Sequence, residues 1–172
     1  MEAVRGPDSL REETLTRLVE SYQTALTHIC YMILQDAALA EDAVQETYLK
    51  AYRSLDTFRG QSSEKTWLIR IGVNVCRDMR RARWFRYVDR RVTPETLSVP
   101  AAETDEDCEA LSEALMQLPD RYKEVVLLHY YQNMNVRETA QALGLAPSSV
   151  SNRLKKAREK LLVLMERGDV HE

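Results

Sequence analysis

The sequence predicts an all-α fold of two helical domains joined by a flexible acidic linker, and three observations carry that prediction. Among 172 residues there are only 5 Gly and 5 Pro, with 7% aromatic and 30% charged residues, a composition that favours helix over strand. Apolar residues recur at spacings of three and four through most of the chain. Charge, finally, falls in blocks. Residues 1–64 carry six basic and eleven acidic groups, 65–91 nine and two, 92–120 none and eight, and 121–172 nine and six. The expected division is a domain over 1–87, a linker over 88–107 and a second domain over 108–172.

The same numbers narrow the function. A formal net charge of −3 and a pI near 5.7 hide two net-basic segments separated by a strongly acidic one. That pattern suits two nucleic-acid contacts joined by a linker that DNA repels. No apolar run approaches the roughly 20 residues of a membrane span, and the polar start MEAVRGPDSLREE lacks a signal core. A cytoplasmic protein without membrane insertion is expected. Cys30, Cys76 and Cys108 form no close pair, so reduced thiols are expected rather than a metal or redox clip. His28, His129 and His171 have no ligand spacing, and no phosphate-cradling glycine loop is present. No metal, no cofactor and no catalytic residue is expected.

Taken in order, Leu15, Leu18, Val19, Tyr22, Leu26, Ile29 and Ile33 define a first amphipathic helix. DAALAEDA interrupts the pattern and begins a second, over 41–55, with Glu41 and Asp42 near its N-terminus. Val44, Tyr48, Ala51, Tyr52 and Leu55 share its core face. Asp42, Gln45, Glu46, Leu49 and Arg53 share another face. This second face is either an ordinary solvated surface or a protein-docking strip, and an exposed Leu49 between Glu46 and Arg53 leans towards the strip.

A polar loop, Phe58, Arg59, Gly60, Gln61, Ser62, Ser63, Glu64 and Lys65, leads into a helix from Thr66. Trp67, Leu68, Ile71, Val75 and Met79 lie on one side, widened by Ile69, Val73 and Cys76. Arg70, Asn74, Arg77 and Arg81 form a narrow polar row opposite. A helix apolar over most of its circumference is buried and rigid, so this row is a fixed ruler of cations and one amide. With Trp67, Trp84, Phe85 and Tyr87 nearby, cations and flat rings together suit a single strand, whose phosphates attract the first and whose unstacked bases attract the second.

Residues 87–107 contain Pro94, Pro100 and TDEDCE without periodicity, and read as the linker. Thr104 or Asp105 is placed to cap a helix over 107–117 with Leu111, Leu115 and Leu118 on its apolar side. Pro119 suits the first turn of the next helix, where Tyr122, Val125, Val126 and His129 recur up to Asn133. After Asn133-Met134-Asn135 comes a helix-turn-helix pattern: a short helix over 136–143 with small Ala140, Gly144 at the turn, Leu145 in the corner, and Pro147 opening a second helix. In that helix Val150, Leu154, Ala157 and Leu161 face inward. Ser149, Asn152, Arg153 and Lys156 face outward, with Ser148 and Ser151 near the exposed end where a recognition helix reads base edges. A generic helical hairpin would need none of these cations.

The runs DAVQETYLKAYRSLDTFRGQSSEKTWLIRIGVNVCRD and LPDRYKEVVLLHYYQNMNVRETAQALGLAPSSVSNRLKKAREKL, in this order and spacing, strongly resemble an extracytoplasmic-function sigma factor, a small bacterial transcription initiation factor. The resemblance covers residues 12–86 and 108–165. It implies a region 2-like first domain and a region 4-like second domain. By the resemblance, Asp42, Gln45, Glu46, Leu49 and Arg53 dock on the clamp helices of the polymerase largest subunit. The loop Phe58 to Lys65 captures a flipped base of the −10 element, and Arg70, Asn74, Arg77 and Arg81 follow the DNA. Ser148, Ser149, Ser151, Asn152, Arg153 and Lys156 enter the −35 major groove, and the opposite surface meets the polymerase flap. It further implies an anti-sigma partner, often membrane-bound. Two positions depart from the family pattern: Ala146 replaces a capping Ser, and Ser151 replaces a basic residue. The competing reading, a self-sufficient helix-turn-helix regulator, leaves the docking strip and the basic-aromatic segment unexplained.

Overall fold

The computed structural model describes residues 7–90 and 106–168. All regular structure among them is helical, and the chain divides into two compact units, Met1–Arg90 and Arg91–Glu172. Of the linker expected over 88–107, residues 88–90 and 106–107 are helical; the rest, with both candidate caps Thr104 and Asp105, lies outside the described residues. So do the side chains of Phe85, Tyr87 and Cys108.

The first unit packs three helices on one another: α1 (Pro7–Leu34), α2 (Ala37–Ser54) and α3 (Glu64–Arg90). α1 begins two turns before the apolar pattern does, so the pattern marks the packed part of the helix and not its whole length. It ends sharply at Gln35, whose φ of 53 stops the helix. Asp36 then caps α2, accepting from the Leu39 N–H at 3.0 Å. The cap moves the start of α2 to Ala37 and corrects the expected start at Glu41. The core comprises Leu18, Leu26, Ile29, Cys30, Val44, Ala51, Leu68, Ile69, Val73, Val75 and Cys76. Tyr48 and Tyr52, expected inside, are half-buried. Their neighbour Thr47 is fully buried and donates to the Ala43 carbonyl at 2.6 Å. The Tyr48 hydroxyl is itself buried with no hydrogen-bond partner among the described residues, and burial pushes its pKa up to about 12.

Gly72 explains how the three helices come so close. A Cβ added there would lie 2.6 Å from Leu26 Cδ1 and 3.5 Å from Thr47 Oγ1. The residue that weakens a helix by about 1 kcal/mol relative to Ala is here the one that lets α1 and α2 approach α3.

In the second unit, α4 (Glu106–Gln117), α5 (Asp120–Val126) and α6 (Val136–Leu143) all pack on α7 (Pro147–Gly168). Leu115 and Leu118 are buried as expected, but Leu111 is 37% exposed. Ala114, three residues on, is buried at 3% exposure. Pro119 precedes the first turn of α5 rather than lying in it, with backbone φ −54 and ψ 140. After Val126 the helix widens into a single π turn over Leu127–Tyr131, closed by the Gln132 N–H on the Leu127 carbonyl at 3.1 Å. His129 Nδ1 lies 2.8 Å from the Met134 carbonyl, which secures the exit from this turn. Lys123 and Glu124 are only 2% and 3% exposed, against the rule that charged residues stay outside. For Lys123 the geometry supplies the reason. Its ammonium donates to the Met116 carbonyl at 2.9 Å, capping the last turn of α4, where a cation also meets the negative end of the helix dipole.

Candidate nucleic-acid interface

Three surfaces gather the residues singled out from the sequence. On α2, Asp42, Gln45 and Arg53 are exposed, Glu46 is half-buried, and Leu49 is 51% exposed. Glu46 reaches Lys50 at 4.0 Å along the same helix. The strip is therefore a real outward face with an apolar residue at its centre.

The second surface begins with the loop. Phe58 stacks on Trp67 with ring centroids 4.8 Å apart and planes 28° apart, so the chain leaves and re-enters the fold across one aromatic pair. Between them Gly60 adopts a left-handed φ of 72, and a Cβ added there would meet nothing within 4 Å. Gln61 folds its carbonyl back to accept from the Arg59 N–H at 3.2 Å. Ser62 donates to the Ser63 carbonyl at 3.2 Å. Ser63 is the N-cap of α3: its hydroxyl oxygen accepts from the Thr66 N–H at 3.1 Å and meets the Thr66 hydroxyl at 2.9 Å. This cap starts α3 at Glu64, two residues before the expected Thr66. It also separates the loop residues by what they are already doing. Ser62, Ser63 and the Gln61 carbonyl serve the loop's own backbone, whereas the Arg59 side chain and the remainder of Gln61 are exposed.

Along α3, Arg70, Asn74 and Arg81 are exposed, while Arg77 and Lys65 are half-buried and engaged within the fold. Leu68, Ile69, Val73, Val75 and Cys76 are buried behind the row, with Trp67, Ile71 and Met79 half-buried at its margins. Trp84, one turn beyond the row, is 66% exposed. Of the four residues expected in the row, Arg70, Asn74 and Arg81 stand outward and Arg77 is partly withdrawn.

The third surface is the helix-turn-helix. Asn135 and Glu138 form a reciprocal capping box at the start of α6, with bonds of 2.9 and 2.8 Å, a signature legible as N-x-x-E in the sequence. Gly144 takes φ 66 and ψ 38 at the α6 C-terminus, the left-handed conformation that glycine adopts without strain. The Leu145 N–H then closes on the Ala140 carbonyl at 2.9 Å. In α7, Val150, Leu154 and Ala157 are buried and Leu161 is half-buried. Ser148, Ser151, Asn152 and Lys156 are exposed, but Ser149 and Arg153 are half-buried. Lys155, absent from the expected set, is exposed on the same face as Ser151 and Asn152; in the sequence its adjacent lysine, at the phase of Asn152, masks it.

At the start of α7 the Ser149 and Val150 N–H groups bond to the Ala146 carbonyl, at 3.0 and 3.2 Å. A serine hydroxyl at 146 would satisfy a further terminal N–H. We expect Ala146→Ser to stabilise the second unit by about 1 kcal/mol, read as a higher denaturant midpoint at unchanged slope.

Among the described residues no group of His, Cys, Asp and Glu is arranged to hold a metal ion. Nor is any helix among them long and apolar enough to cross a membrane.

Known proteins place this architecture. Residues 18–86 match the family described as Sigma-70 region 2, and residues 108–161 match Sigma-70, region 4. These two matches define the class, a two-domain sigma factor. RNA polymerase sigma factor NccH of Alcaligenes xylosoxydans xylosoxydans is 29% identical over 90% of this chain and 88% of its own. The ECF RNA polymerase sigma factor SigX of Bacillus subtilis is 30% identical over 81% of this chain and 77% of its own. Among solved structures, the sigma factor RpoE from Bartonella quintana, in complex with the anti-sigma factor NepR, superposes with a TM-score of 0.79. It is 25% identical and covers 90% of this chain and 98% of its own. CnrH, in complex with the cytosolic domain of CnrY, gives 0.69 at 27% identity over 91% and 90%. The chain belongs to the extracytoplasmic-function (ECF) RNA polymerase sigma factors.

Proposed function

We propose that this sigma factor divides promoter recognition between its two units, reading and opening the −10 element with the first and the −35 element with the second. The observation that carries the proposal is the outward row Arg70, Asn74 and Arg81 on a helix that buries Leu68, Ile69, Val73, Val75 and Cys76, directly behind a loop closed by the Phe58–Trp67 stack. Flipping a base out of a duplex costs a few kcal/mol, so opening needs a reader for the base as well as cations for the strand. Arg59, Gly60 and Gln61 offer such a reader, and the row holds the separated strand. In the second unit, Ser148, Ser151, Asn152, Lys155 and Lys156 present polar and cationic groups at the N-terminal half of α7, the geometry by which a recognition helix enters a major groove. Asp42, Gln45, Glu46, Leu49 and Arg53 dock on the clamp helices of the polymerase, and a further surface of the second unit meets the flap.

The role is non-catalytic, the chemistry of RNA synthesis belonging to core polymerase, and it is exercised in the cytoplasm. An anti-sigma factor, membrane-anchored or not, restrains it by covering these surfaces. A solved relative in complex with an anti-sigma factor supports that reading.

Run-off transcription with purified core polymerase on a panel of promoters tests the whole. Promoter-specific transcripts that require both core and this protein are expected. Tight binding of promoter duplex by the protein alone, unaffected by core, would instead identify a self-sufficient regulator. Within the second unit, changing Asn152 or Arg153 to alanine is expected to alter −35 preference by about fivefold to tenfold. Strand opening on a pre-melted template should be unchanged, as read by permanganate footprinting. Because Arg153 is half-buried, Asn152 is the cleaner probe.

A further inference from the structure

We infer that Arg11 and Arg17 of α1 are positioning residues that clamp the two ends of the loop Phe58–Ser63 and thereby set its base preference. The inference rests on the reading of that loop as a base reader.

Both arginines precede residue 18, where the match to Sigma-70 region 2 begins, and both reach far across the sequence. Arg11 holds the upstream end. Its Nη2 donates to the Tyr52 carbonyl at 2.8 Å, its Nη1 lies 3.4 Å from the Asp56 carboxylate, and its guanidinium sits 4.7 Å from the centre of the Tyr52 ring. These three attachments fix the last turn of α2 and the short 3₁₀ turn Leu55–Thr57 from which the loop departs. Arg17 holds the downstream end through two bonds of 2.7 Å to both oxygens of Glu64, the residue immediately after the Ser63 cap. A forked guanidinium–carboxylate pair fixes orientation as well as distance.

The loop leaves space open at its base and at its crest. Beside its base runs an open cleft of about 520 Å³ lined by Leu10, Arg11, Leu55, Asp56, Phe58 and Trp67, and the Phe58–Trp67 stack closes the root. Gly60 adds no side chain to hold its crest. With both ends tied to α1, the positions of Arg59 and Gln61 are inherited from a helix outside the loop. A reading group must be held within a fraction of an ångström by its supporting shell to discriminate between bases.

The test uses holoenzyme reconstituted with core polymerase and a promoter library randomised across the −10 and −35 elements, with transcripts sequenced. Arg11→Ala and Arg17→Ala are each expected to flatten the −10 base preference about fivefold, leaving −35 preference and core affinity unchanged. Arg17→Glu should flatten it similarly, and adding Glu64→Arg, which restores the pair with reversed polarity, should recover most of the loss. Intact −10 preference in the arginine variants, or an equal loss at both elements accompanied by a lower melting temperature, would overturn the inference. If the unsubstituted holoenzyme itself shows no −10 base preference, the loop assignment falls, and the inference with it.

The Arg17–Glu64 pair also has a pH signature. The neighbouring guanidinium holds the Glu64 carboxyl below the usual glutamate range, so its contribution is complete above the unfolded value of about 4.3 and fades as pH falls through the folded one. Half-exposed partners limit it through solvent screening. Glu64→Gln should therefore lower the melting temperature slightly at pH 7 and leave it unchanged at the acid end of the titration; an equal loss at both ends would exclude the ion pair as its source.

Discussion

Replacing Asn74 by alanine should reduce open-complex formation by about tenfold while leaving affinity for core polymerase unaltered. Asn74 is exposed at the middle of the α3 row, and a lost polar contact to a strand or base edge carries about 1–3 kcal/mol of recognition. Its side chain makes no contribution to the core, so a melting temperature within about 1 °C of the parent is expected for the same variant. Arg77→Ala should weaken opening comparably, but Arg77 is half-buried and engaged within the fold, so some loss of stability should accompany it. Potassium permanganate reactivity of the −10 thymines measures opening, and fluorescence anisotropy with labelled protein measures core binding. Equal losses in both assays would remove Asn74 from the DNA-facing role and assign the row to polymerase.

The largest stability effect should come from Gly72→Val. The added Cβ would stand 2.6 Å from Leu26 Cδ1, and Leu26 is itself 1% exposed, with little room to turn aside. Overpacking of this kind costs about 1–3 kcal/mol, and the better helix propensity of valine relative to glycine offsets only about a few tenths of a kcal/mol of it. The melting transition of the first unit should fall by about 10–20 °C. Combining the change with Leu26→Ala should give a loss smaller than the sum of the two by at least about 1 kcal/mol, because each substitution relieves the other. Strict additivity would place the strain of Gly72→Val somewhere other than the α1–α3 contact.

These two positions illustrate how differently the chain discloses its parts. Asn74 is legible from the sequence, because a polar residue at helical spacing among Leu68, Val73 and Val75 can only face outward. Helical phase needs no knowledge of the partner helices. The same reasoning locates the exposed Leu49, the Gly144 turn and the inward Val150 and Leu154. Gly72 is not legible in this sense: a glycine in a helical pattern lowers the expectation of helix, and only the approach of Leu26, on another helix, explains it.

What the sequence determined alone was therefore whatever repeats locally: the helices in outline, two units, an outward strip on α2, a cationic row on α3 and a helix-turn-helix with its left-handed glycine. What tertiary structure decided was whatever depends on residues distant in the chain. Lys123 and Glu124 are buried although their charges predict exposure, and for Lys123 the compensation comes from the Met116 carbonyl at the end of another helix. Arg11 and Arg17 look like ordinary charges on an amphipathic helix until the folded chain brings Tyr52, Asp56 and Glu64 beside them. Periodicity is a property of one helix; a salt bridge or a close approach is a property of two, and distance between helices is not written in the period of either.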